Sequence, residues 1–360
     1  MGTAPQLSWE VGTAYDLFIS LEVIHNPARY GLRGSWAAGV RSRLPVETRE
    51  LLQNAVERHH FWAIPWLVNQ DGPKDSASIL QKLADIPAAQ RMKELAACYM
   101  PDGIRNILFR VADEGGWQPE DVESLRTLYA QMYKEETGKS KKLPDEELED
   151  KLTVWADTAV YSQKLLDALN RYYDVFYQEE EARIQKPLED RITEAKALAK
   201  KSPLPDLLNE LSQGLRFEFD QTAQMEELVM IPSFWTTPLS MFTSFSRDHK
   251  RWLFLFGGRP DGVSLVPGDV VPELLYQMLK ALADPTRLRI LRYLSEEPLT
   301  PAELARRLRL RPPTVIHHLD ALRLARLVHV TLSVNGRRYE ARHEAIQTVS
   351  VMLNQFLGKK

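Results

Sequence analysis

The stretch "RPPTVIHHLDALRLARLVHVTLSVNGRRYEA", residues 311–341, decides how the last quarter of the chain is read. Pro312 and Pro313 open a helix-like run. Proline suits a first helical turn, because its φ is already near the helical value and its missing N–H would have no partner there. On a helical wheel Val315, Leu319 and Leu322 share one stripe. Pro313, Thr314, His317 and Ala321 lie on the opposite side, and His318 sits at the edge of the apolar stripe. The stripe must face a core, so His317 points outward. Short side chains around one ring that donates and accepts hydrogen bonds make a surface able to enter a DNA major groove. A merely solvated histidine is the other reading of the same geometry.

Behind this helix comes a ribbon. Asn335-Gly336 is the preferred pair for a two-residue type I′ turn, so the flanking residues are expected to form a hairpin. Pairing across that turn sets Val334 opposite Arg337, Leu332 opposite Tyr339 and Val330 opposite Ala341. His329, Thr331, Ser333, Arg338, Glu340 and Arg342 take the other face. Arg337 and Arg338 stand at the tip, where a wing reaches phosphates. Basic side chains also keep an edge ribbon soluble, which would explain their charge but not their place beside an outward helix.

Working outward, "ELLYQMLKAL" is an amphipathic helix, and "DPTRLRILRYLSE" starts another with Asp284 as N-cap and Pro285 first inside. In "TPAELARRL" Thr300 and Glu303 have the spacing of a capping box. "EAIQTVSVMLNQFL" closes the chain with Ile346, Val349, Leu353 and Phe356 on one face. Helix, helix, short turn, helix, hairpin, helix is the order of a winged helix-turn-helix. From Val271 to Lys360 there are fifteen Lys or Arg against eight Asp or Glu, a net +7. The whole chain carries −3, so the rest carries −10. A basic module on an acidic body suits a polyanionic partner for the module alone.

"ALADPTRLRILRYL", "LTPAELARRLRL", "TVIHHLDALRLARLV" and "NGRRYEA" together resemble the ArsR-like winged-helix repressors of bacteria. The resemblance covers the last quarter of the chain. It implies a homodimer held by the first and last helices of the module, bound to a pseudo-palindromic operator on double-stranded DNA. It implies Thr314 and His317 as base or phosphate contacts, Arg311 at the start of the recognition helix, and Arg337 and Arg338 on the wing. This chain departs from the family at Arg311-Pro312-Pro313, where a serine cap is usual, and at Ile316, where a small polar residue is frequent. Arg326 stands where the family often has glycine, which implies a left-handed backbone there.

Metal release is common in that family, but the cysteines of its usual site are missing from "TPAELARRL". The closing helix offers only His343 and Glu344, so no metal and no cofactor is expected. "ERHH", residues 57–60, has Glu-x-x-His spacing, but di-iron bundles need that motif twice.

Residues 1–214 read as helical, with Asp102 as an N-cap and one long periodic stretch over about Glu146–Lys201 that Pro187 kinks or ends. Residues 215–270 change period, and "RFEF", "ELVMIPSFW", "LSMFTSF" and "RWLFLFGG" predict a small sheet followed by a Pro/Gly connector. Trp62, Trp66, Phe234 and Trp235 are expected in a core, with a ligand pocket as the alternative. "FGGRPDG" reads as a plain turn, since it lacks the rest of a phosphate-loop pattern.

The expected class is mainly α with a small β-sheet and a C-terminal winged helix-turn-helix over 271–360. The single Cys98, the absence of a secretory leader and of any long apolar run point to a cytoplasmic protein without a membrane partner. The expected function is a repressor acting as a homodimer, whose N-terminal region senses an unidentified small-molecule effector or oligomerises. No catalytic constellation stands out. The alternative is an enzyme or ligand-binding protein that uses the winged helix as a protein-interaction module.

Overall fold

The computed structural model describes residues 5–59, 61–137, 142–217, 225–246, 248–268, 271–333 and 336–358. Strand β1 (Gln6–Trp9) precedes a series of helices: α1 (Thr13–His25), α2 (Gly34–Ser42), α3 (Val46–Glu57), α4 (Ile64–Val68), α5 (Ser76–Asp85) and α6 (Ala88–Ala97). The series continues with α7 (Asp102–Glu114), α8 (Pro119–Thr137), α9 (Asp145–Ala156), α10 (Thr158–Tyr172), α11 (Gln178–Ala199) and α12 (Leu204–Ser212). Four strands follow: β2 (Leu215–Phe217), β3 (Glu227–Ser233), β4 (Met241–Ser244) and β5 (Arg251–Gly257). The C-terminal module is α13 (Glu273–Leu282), α14 (Pro285–Leu294), α15 (Pro301–Leu308), α16 (Pro312–Leu324), β6 (Val328–Ser333), β7 (Gly336–Ala341) and α17 (His343–Phe356). The chain is mainly helical with small sheets and ends in a winged helix-turn-helix, as its sequence pattern implies.

The central sheet has the order β1-β3-β5-β4, with β1, β3 and β5 parallel and β4 antiparallel to β5. Both of its faces are covered, which is the usual condition of parallel strands. Val229, Ile231, Leu253 and Leu255 point into the large helical core, which also holds Trp66, Phe234 and Trp235. Leu228, Met230, Phe254 and Phe256 point the other way, onto Leu207, Leu208 and Leu211 of α12. The aromatics singled out in the sequence are therefore core residues, with Trp62 partly buried against the same cluster. Asp16 on α1 ties the sheet to the helices. Its carboxylate accepts Ser233 Oγ at 2.5 Å and the Phe234 and Trp235 amides at 2.9 and 3.0 Å.

Several local expectations need correction. β1 lies inside the region read as helical, because four residues carry too little pattern to betray a partner more than two hundred positions away. β2 does not join the central sheet; it pairs with β6. The long periodic run breaks at Asp157, whose side chain accepts the Val160 amide at 3.3 Å and so caps α10. A π-helical turn over Tyr173–Tyr177 then joins α10 to α11. Pro187 sits inside α11 without ending it; Ile184, Leu188 and Ile192 are buried on either side, and that packing holds the helix through the proline. Asp102 is the first helical residue of α7, with Pro101 in the cap position. His60 of the "ERHH" stretch lies outside the described residues, and His59 is 3.5 Å from Asp150.

Candidate DNA-binding surface

Local signals build the module as the sequence indicated. Asp284 accepts the Arg287 amide at 2.9 Å and starts α14. Thr300 and Glu303 close the capping box at the start of α15. Arg309 takes φ 57° in the turn that leads to α16. Val315, Leu319 and Leu322 are fully buried and pack with Leu304, Leu308 and Ile290. Thus α16 has its inward stripe fixed, and Arg311, Thr314 and His317 are exposed on its other side. Arg311 occupies the cap position without a side-chain cap bond.

α16 ends in a Schellman motif. The Leu327 amide donates to Leu322 O at 2.9 Å, and the Arg326 amide donates to Arg323 O at 2.9 Å. Arg326 is left-handed, with φ 53°, as its position in a glycine site implied. A glycine would be relaxed here, but Arg326 also carries a guanidinium 2.6 Å from Asp261 in the "FGGRPDG" turn. That turn is therefore a joint between the N-terminal body and the module.

The two histidines differ in surroundings. His317 is exposed, and His318 is half-buried with Nδ1 3.9 Å from Asp284. Burial holds the His318 pKa below the ordinary histidine value, against the pull of Asp284. The hydrogen bond from the Arg287 amide in turn holds Asp284 below the usual carboxylate range. Among the described residues no group of three or more His, Cys, Asp or Glu gathers as a metal site would require.

The hairpin register differs from the expected one by two residues. Val328 pairs with Ala341, Val330 with Tyr339, Leu332 with Arg337 and Ser333 with Gly336. A slip of two keeps every side chain on its face, so the inward set survives. Residues Val334 and Asn335 of the turn lie outside the described residues. Contacts beyond the hairpin set this register. Leu299 and Tyr339 exchange backbone hydrogen bonds of 2.9 and 2.8 Å, and the Val330 amide donates to Gly214 O at 2.8 Å. β2 runs parallel to β6, with Leu215 opposite Val330, and covers its outer edge. The two wing arginines part company. Arg338 turns back to the Pro298 carbonyl at 3.1 Å and lies 3.8 Å from Glu303. Arg337 turns to the opposite face.

Arg337 and His317 meet there in a feature the sequence did not disclose. A cleft of about 810 Å³ lies between the module and the body. On the module side it is lined by His317, Asp320, Ala321 and Leu324, the outward stripe of α16 continued at helical spacing. On the body side stand the turn of residues 28–32 and residues 239–242. Gln277 on α13 spans the two by donating to Gly31 O at 2.6 Å. Arg311 and Thr314 do not line the cleft. The expected contact set is therefore divided: Arg311 and Thr314 on open surface, His317 and Arg337 at the cleft, Arg338 braced against α15. One signal of the cleft was present in the sequence. Leu324 is apolar on the outward stripe and must be covered by something, and it is buried.

Residues 284–330 match the family model described as bacterial regulatory protein, arsR family. No curated protein matches the chain. Among the described residues no helix is long and apolar enough to cross a membrane. The matched segment runs from the cap of α14 to the middle of β6, and so contains both helices of the helix-turn-helix and the start of the wing. The C-terminal region of this chain therefore carries an ArsR-like winged helix-turn-helix, the DNA-binding module of a transcription regulator.

Proposed function

We propose that the chain is a cytoplasmic repressor that binds a pseudo-palindromic operator as a homodimer, and that it catalyses no reaction. The observation that carries this reading is the apolar surface left on α13 and α17. Tyr276 and Leu279 on α13, and Ile346, Val351 and Phe356 on α17, are each at least 40% exposed. The sequence stripe on α17 is split accordingly: Val349 packs inward, while Ile346 and Phe356 stay out. Neighbouring helices that share such a surface suit a two-fold interface, in which the same patch meets itself. A dimer would also double the weak contact set of one module, presenting two copies of Arg311, Thr314 and His317 to two half-sites.

The test is sedimentation of the full chain beside salt-dependent titration of duplexes selected from source genomic DNA. A dimer is expected, with Leu279→Asp and Val351→Asp shifting it to monomer and weakening duplex binding together. Arg311→Ala, Arg337→Ala and Arg338→Ala should each lower the salt slope by about 1, if each arginine neutralises one phosphate. A monomer at every concentration, or duplex binding without salt dependence, would falsify the reading.

A further inference from the structure

We propose that the cleft between the body and the recognition helix is an effector site for a small organic anion with an apolar body, and that this anion competes with DNA. The anion site rests on the lining of the cleft alone; the competition rests on the DNA-binding reading above.

The size suits a small molecule. About 810 Å³ lies within the roughly 300–1,000 Å³ of ligand pockets. The charge is one-sided. Arg29, Lys280, Arg287, Arg323 and Arg337 line the cleft with His317, and Asp320 is the carboxylate among the lining residues. Glu22, 3.3 Å from Arg29, offsets part of that charge from outside. Among the other cations, Arg287 has the Asp284 carboxylate nearby and Arg337 pairs with the Tyr339 hydroxyl. The Arg323 side chain makes no hydrogen bond or ion pair with a described residue; burial pushes its pKa down, Tyr339 and Asp320 pull it up, and Arg337 and Arg29 add to the fall. Arg287 has a buried Nε without a hydrogen-bond partner, while its Nη1 donates to Lys280 O at 3.1 Å. Five cations against one lining carboxylate, set between low-dielectric walls, still concentrate anions. The walls are apolar where the cations are not: Met241, Phe242, Leu239, Leu332 and Leu324 line the same space. A carboxylate, phosphate or sulfonate on an apolar body meets both features.

The competition follows from position. His317 and Arg337 face the cleft and belong to the expected DNA contacts. A duplex reaches His317 only by taking the outward face of α16 into its major groove. The body stands across the cleft from that face, so the two cannot both occupy it in this arrangement. An anion bridging Arg29 of the body and Arg323 or Arg337 of the module would hold the two together. Linkage then requires that duplex weaken the anion by the same factor as the anion weakens duplex.

The whole chain of 360 residues can be tested with two dyes of the same shape class. 1-Anilinonaphthalene-8-sulfonate carries a sulfonate, and N-phenyl-1-naphthylamine does not. The sulfonate dye should bind at one site per chain at least tenfold more tightly than the neutral one. Arg323→Gln should weaken it at least fivefold with an unchanged melting curve. Ala28→Trp, on the exposed turn at the cleft wall, should do so by narrowing the space, and serves if Arg323→Gln does not fold. Equal affinity for both dyes, or dye binding indifferent to both substitutions, overturns the site. In the second arm, a selected duplex and the sulfonate dye should weaken each other by equal factors. A duplex that binds without affecting the dye overturns the competition. A duplex that does not bind at all sinks the DNA-binding reading and the competition with it, while the dye pair still decides the anion site.

Discussion

Residue identity is most informative at the adjacent histidines, where about 100° of helical rotation separates two roles. His317 is exposed at the cleft, and His318 is packed near Asp284 and Arg287. His318, His25 and His329 all have pKa values pushed below the ordinary histidine value, in each case chiefly by burial. The unfolded chain therefore binds more protons than the folded one as pH falls through the histidine range. The sign is that stability is present above about pH 6.5 and is lost on acidification below it. The melting temperature should fall between pH 7.5 and 5.5, and His318→Gln should flatten that fall. A curve of unchanged slope in the variant would remove His318 from the acid response. Arg326 makes a related point. Its left-handed backbone costs about 1 kcal/mol relative to glycine, and its side chain uses that position to reach Asp261.

Among the elements, the three-residue β2 has the largest effect for its length. A winged helix taken from residue 271 onward would leave the outer edge of β6 bare, and bare edges invite association. β2 covers that edge, and Leu215, opposite Val330, adds itself to the core of the module. A fragment of residues 271–360 would therefore lack one strand of its sheet. Leu215→Ala should destabilise the chain by about 2–3 kcal/mol, as for other buried leucines, and speed amide exchange in β6 more than in α11. Uniform exchange across both elements would show that β2 does not specifically support the wing.

At the scale of the whole molecule, the module is tied to the body by Asp261–Arg326, by Gln277 on Gly31, by Arg342 donating to Gln213 O at 3.0 Å, and by the ion pair of Arg216 with Glu340. These ties hold two of the five expected contact residues, His317 and Arg337, against the body. Loosening them should raise duplex affinity. The double variant Arg326→Gly, Gln277→Ala removes two ties, and the glycine relaxes the left-handed turn, so folding should survive. We expect duplex affinity to increase several-fold at fixed salt; an unchanged or weaker titration would mean that the arrangement described here does not restrain binding.

The sequence by itself determined the helices of the module, the caps of α14 and α15, the inward stripe of α16 and the outward side of His317. Each of these is local: a period, a cap spacing or a turn residue states it within a dozen positions. The tertiary structure alone decided that Gln6–Trp9 and Leu215–Phe217 are strands, that the hairpin register slips by two, and that His317 and Arg337 face the body. Parallel pairing joins segments far apart in the chain and leaves little trace in either one. The register was set by Leu299 and Gly214, outside the hairpin, and the cleft by a turn at residues 28–32 that shows no kinship with α16 until the chain brings them together.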